Sequence, residues 1–212
     1  DERLANAITR AAIASAAAPV RARGRGTSIA SLSKLGCTFV TRSFRRKDHP
    51  LFAQRLRQAV RHGAQVLSLN AVHDDWAMPL AGHMTAAPSA WADALAQVAA
   101  AIAAAKGIAA PAPADASDAA KAIAASLMSG ERKALLLGNT AAQHPQASQL
   151  LALAQWIGTQ GGASVGYLCE SGNSVGAQLV GALPRAGGFD AGQMLSRPMK
   201  ALFLLGVEPA FD

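Results

Sequence analysis

Residues 37–70 read CTFVTRSFRRKDHPLFAQRLRQAVRHGAQVLSLN, and the fold turns on how this stretch is parsed. Short aliphatic or β-branched runs of strand length lie at 37–41 and at 64–69 (AQVLSL). Between them, residues 50–62 place Phe52, Leu56 and Val60 at helical spacing, with Arg55, Arg57 and Arg61 elsewhere on the cylinder. Pro50 fits the first helical turn, where its missing N–H costs nothing, and Gly63 fits the position just after the helix end. The stretch is a strand, a helix and a strand.

The alternation continues outward. A helix is expected over 90–105, capped by Ser89, with Trp91, Leu95, Val98 and Ile102 in one apolar stripe and a stop at Lys106 and Gly107. Residues 108–117, IAAPAPADAS, carry two prolines among small residues and read as a linker. A helix then restarts at Ser117 and Asp118 with Ile123 and Leu127 inside, followed by a strand at 134–137. Residues 145–158 put Ala147, Leu150, Leu151, Ala154 and Ile157 on one face, and Gly161 and Gly162 end that helix before a strand at 163–168. A last strand is expected at 201–205, ALFLL.

Strands alternating with helices predict the α/β class, with mostly parallel, Rossmann-like sheets flanked by helices in three layers. The expected division is a first lobe at 1–107, a linker at 108–117 and a second lobe at 118–212, both lobes incomplete. A chain that stops one loop after a strand reads as a piece of a longer polypeptide.

Composition narrows the function classes. The chain is 51% hydrophobic and 16% charged over 212 residues, which is globular rather than disordered. Its net charge of +7 is concentrated: residues 1–63 hold 13 Lys or Arg against 3 acids, and residues 64–212 hold 7 against 10. Interleaved aromatics and a recognition helix are missing from the basic third, which argues against nucleic-acid binding. The stretch ALAQVAAAIAAA at 94–105 is too short and too rich in Ala to span a bilayer, so no direct membrane insertion is expected. Cys37 and Cys169 lie far apart and cannot build a four-thiolate cluster; two buried thiols are the plain reading, a disulfide the other.

The pair His49–Pro50 and the pair His144–Pro145 each stand between an apolar run and an amphipathic segment. A strand end that leads into a helix N-terminus attracts anions, so both junctions are candidate nucleotide or phosphate sites. The competing reading is that each pair serves as a local helix start and cap. Neither junction carries a dinucleotide fingerprint or a P-loop. His73, Asp74, Asp75 and His83 are suitable metal ligands by type, but their spacing fits no metal motif, and a solvated loop with Trp76 tucked beneath it is expected. Ser174 in GNSVG superficially resembles a nucleophile elbow, yet tight packing at Gly172 and Gly176 is the better reading.

Five segments taken together resemble a known family: RKDHPLFAQRLRQAVRHGAQV (46–66), NAVHDDWAMP (70–79), LLLGNTAAQHPQASQLLALAQWI (135–157), GNSVGAQLVGALP (172–184) and LLGVEPAFD (204–212). In order and content they resemble the molybdopterin-dependent oxidoreductases, and within them more closely the large iron-sulfur subunit of bacterial NADH-quinone oxidoreductase, respiratory complex I. The resemblance implies a pair of Rossmann-like lobes from the molybdopterin-oxidoreductase-like region of that subunit. It further implies a cofactor-free scaffold with no active site of its own, while the parent subunit carries iron-sulfur clusters. The implied partners are other peripheral-arm subunits, and the implied location is the cytoplasmic side of the bacterial inner membrane.

The alternative from the same resemblance is a molybdopterin-dependent, formate dehydrogenase-like enzyme that holds the pterin, for which Ser43, His49, Gly138, Asn139, His144 and Asn173 are the candidate contacts. Arg42 and Phe44 stand where cofactor-containing relatives have glycine and asparagine, which places a bulky charge where backbone should approach a phosphate. Asn173 is followed by Ser174, where those relatives have two adjacent asparagines. Residues 1–35 resemble the family only at GTSIASL (26–32), and the Arg-rich PVRARGRG before it has no counterpart in a packed α/β lobe.

Overall fold

The computed structural model describes residues 29–41, 49–168, 180, 184 and 187–206. Compactness divides the chain into one unit at Asp1–Gly172 and another at Asn173–Asp212.

In the first unit, a 3-10 turn at Ile29–Lys34 leads into β1 (Cys37–Thr41), α1 (Pro50–Arg61), β2 (Gln65–Asn70) and β3 (Gly82–Thr85). Then come α2 (Trp91–Lys106), α3 (Asp118–Met128), β4 (Lys133–Leu137), the single turn α4 (Asn139–Ala142), α5 (Ala147–Gly161) and β5 (Ala163–Tyr167). All strand pairs are parallel and the order is β3-β2-β1-β4-β5. The expected three-layer α/β/α class is therefore what the chain adopts.

Period-two alternation along the strands builds the two outer layers. Cys37, Phe39, Leu67, Leu69, Leu135 and Leu137 point to one face and pack with buried residues of α2, α3 and α5. Val40, Ala134 and Leu136 point to the other, where Leu56 of α1, Leu32 of the first turn and Leu35 just after it cover them. Chain direction explains the split. The sheet grows from β1 toward β2 through α1, and from β4 toward β5 through α5, in opposite senses. Right-handed crossovers then place the two helices on opposite faces.

Several boundaries differ from expectation. Strands from both sides of 108–117 lie in one sheet, with Thr38 beside Val66 on one flank and beside Ala134 on the other, so this stretch does not separate two lobes. Ala112, Ala114 and Ala116 are partly buried against the core, which makes it a strap from α2 to α3. Ser89 lies within a 3-10 turn, Pro88–Ala90, and gives α2 no side-chain cap. Ser117 does cap α3, accepting from Ala120 N at 3.3 Å. Pro145 stands ahead of α5 rather than in its first turn, because the helix begins at Ala147. Both α2 and α5 stop at a left-handed glycine, Gly107 (φ 65°) and Gly162 (φ 67°), where a side chain would be strained.

In the second unit, α6 (Ala191–Leu195) is started by a capping box in which Asp190 accepts from Gln193 N and Gln193 accepts from Asp190 N. Arg197 lies over the Phe189 ring at 4.8 Å. The strand expected at 201–205 does not form: these residues are irregular, and Phe203 is 91% exposed. Among the described residues no helix is long and apolar enough to cross a membrane.

Candidate functional site

A parallel sheet whose strand order reverses direction leaves a crevice at the carboxyl ends of the two strands that flank the reversal. Here those strands are β1 and β4, neighbours although α1, β2, β3, α2 and α3 separate them in sequence. Thr41 and Leu137 are register partners at their ends. The segments that leave this edge of the two strands begin at Thr41, which ends β1 ahead of the helix start at His49–Pro50, and at Gly138 and Asn139, which follow β4. Of the sequence candidates, His49, Gly138, Asn139 and His144 are described; Ser43 and Asn173, with Arg42, Phe44, Cys169 and Ser174, lie outside the described residues.

The polar groups at this edge are largely turned to one another. Gly138 N, the first amide past β4 and a natural anion donor, donates to Thr41 O at 2.8 Å. The Thr41 hydroxyl donates to Leu136 O at 3.4 Å. Asn139 opens the one-turn α4, which has no side-chain cap.

The two His-Pro junctions are built differently. Pro50 is the first residue of α1, and His49 precedes it without a side-chain capping bond. Its ring meets Phe52 edge-on at 5.8 Å, and its Nε2 is buried with no hydrogen-bond partner among the described residues. At the second junction the imidazole is fully committed. His144 Nδ1 accepts from Gln146 N at 3.0 Å, which fixes the ring proton on Nε2, and that nitrogen donates to Pro88 O at 3.1 Å. The same ring lies 5.4 Å from Trp91, whose Nε1 donates to Ala86 O at 2.8 Å. His144 thus ties the residue that precedes α5, Gln146, to the turn that opens α2. Sequence spacing does not reveal this tie, because Pro88 is 56 residues away.

A pterin nucleotide needs free backbone donors and side chains at this edge. Gly138 N and both nitrogens of His144 are taken by the fold, while His49 Nε2 makes no hydrogen bond among the described residues and Ser43 and Asn173 lie outside them.

Elsewhere, Cys37 is buried in β1, and burial pushes its thiol up from an ordinary 9.0 to about 11 against the opposing pull of Lys133. A thiol so raised is neither a nucleophile nor a ready metal ligand. Of the third constellation, Asp74 accepts from Asn70 Nδ2 at 2.8 Å and Asp75 from Ala77 N at 2.8 Å, while the rings of His73 and His83 meet at 4.5 Å. Trp76 is partly buried against the core beneath this loop, as expected. No group of three His, Cys, Asp or Glu among the described residues converges to hold a metal.

Compared with known proteins, the chain matches no family model, and no curated sequence matches it.

Proposed function

We propose that this chain is part of the molybdopterin-oxidoreductase-like region of the large iron-sulfur subunit of bacterial NADH-quinone oxidoreductase, where it serves as a scaffold without a pterin. Its parent enzyme passes electrons from NADH through flavin and iron-sulfur clusters to quinone and couples this to ion pumping. In this reading the chain carries no active site. It packs among other peripheral-arm subunits on the cytoplasmic side of the inner membrane.

Five family-like segments in the right order support the assignment, and the doubly wound topology is compatible with it. The observation that supports the scaffold half is the commitment of His144: an imidazole that uses both nitrogens to join Gln146, ahead of α5, to Pro88, ahead of α2, has no ring nitrogen left for a cofactor. A second reading, a pterin-holding, formate dehydrogenase-like oxidoreductase, is favoured by one observation, the unpartnered Nε2 of His49 at the start of α1.

Native electrophoresis of mildly solubilised membranes from the source cell separates the two. The gel is probed with an antibody to this chain and stained in parallel for NADH oxidation. Comigration with a large NADH-oxidising band is the expected result. A smaller band that carries molybdenum and lacks NADH oxidation would establish the second reading instead.

A further inference from the structure

The pair His73 and His83 differs from every other described histidine. His144 spends both nitrogens on the fold, His49 is buried at Nε2, and His62 follows the end of α1 with no second imidazole beside it. His73, in the loop at 71–81 after β2, and His83, on the edge strand β3, are both exposed, and their ring centroids are 4.5 Å apart at an interplanar angle of 54°. Neither ring makes a hydrogen bond to another described residue, so both retain nitrogen lone pairs for a ligand.

The separation has a chemical meaning. Metal–nitrogen bonds of about 2.0–2.1 Å place the centroids of two imidazoles bound side by side on one ion about 4.5–5.2 Å apart, for bond angles of about 90–110°. The observed distance falls at the lower end of that interval. Two carboxylates, Asp74 and Asp75, directly follow His73 in the chain. Asp74 and Asp75 accept from Asn70 and Ala77, which shapes the loop that carries His73. Imidazole prefers zinc, nickel and copper over magnesium or calcium.

We propose that His73 and His83 form a two-imidazole site for a late first-row divalent cation such as Zn²⁺, which clips the loop at 71–81 to the edge strand β3. With two protein ligands, water completes the coordination.

Zn²⁺ titrated calorimetrically into the full 212-residue chain at neutral pH tests this. One equivalent is expected to bind, and Mg²⁺ is expected not to. His73→Ala and His83→Ala should each weaken binding by about tenfold or more, because one imidazole cannot chelate, whereas His62→Ala should leave it unchanged. Bound Zn²⁺ should raise the thermal midpoint of the unaltered chain and not that of His73→Ala. That variant lies on an exposed loop, so it remains informative if a change on β3 impairs folding. Absence of saturable binding, or an affinity that survives His73→Ala, would overturn the site.

Discussion

His144 is the residue on which most of the local architecture converges. An imidazole that accepts at Nδ1 from Gln146 and donates from Nε2 to Pro88 O must be the neutral Nε2–H tautomer. Nitrogen-15 NMR of the ring should report that tautomer, and an Nδ1–H ring would contradict the tether. Replacement by Ala removes both bonds and leaves the amide at Gln146 without its side-chain acceptor, so urea unfolding should show a loss of about 1–3 kcal/mol. Cys37 provides a titration of a different kind. Its folded-state value, about 11, lies above the ordinary 9.0, so the neutral thiol contributes stability that is complete below pH 9. As pH rises from 9 to 11 the unfolded chain ionises first and the contribution is lost, about 2–3 kcal/mol in all. Cys37→Ala lacks that titration, so the stability gap between the two proteins should change by this amount over that interval. Parallel profiles would mean that the thiol is not held neutral by burial.

At the scale of elements, close approach explains what helix propensity does not. Gly158 lies in the last turn of α5, where Ala would normally be favoured by about 1 kcal/mol or somewhat less. A Cβ at this position would lie 2.9 Å from Ala163 O and overlap the side chain of Val165, so the helix could not sit on β5 as it does. Gly158→Ala should therefore destabilise by about 1–3 kcal/mol despite its better propensity, as overpacking does. A more stable variant in thermal unfolding would show that α5 shifts freely over β5. Sequence made most elements legible, because apolar runs and the spacing of Leu56, Leu95, Val98 and Ile102 are local signals of burial. It missed β3, a four-residue strand whose exposure merely alternates, since an edge strand needs no continuous apolar run. It over-read 201–205, because an apolar run becomes a strand only where a neighbour supplies hydrogen bonds.

For the first compact unit as a whole, strand order was the part that sequence did not carry. Periodicity identifies strands one at a time, while pairing depends on contacts between distant residues such as Phe39 and Leu135. Two prolines and several alanines therefore read as a boundary at 108–117, although Ala112, Ala114 and Ala116 lie against the same core that α2, α3 and α5 share. The consequence is testable. With β1 central and bonded to β2 on one side and β4 on the other, neither half has a complete core: Phe39 packs among residues drawn from both sides of the strap. A protease site inserted near the exposed Ala109 and Ala110 should be cut without unfolding the unit. The two pieces should then comigrate in native gel filtration and part only in denaturant, with one cooperative transition. Pieces that separated in buffer and each kept native-like circular dichroism would restore the division into two lobes. Association of the cut pieces would show that the sheet, rather than the covalent strap, holds β1 against β4 and thereby forms the crevice between them.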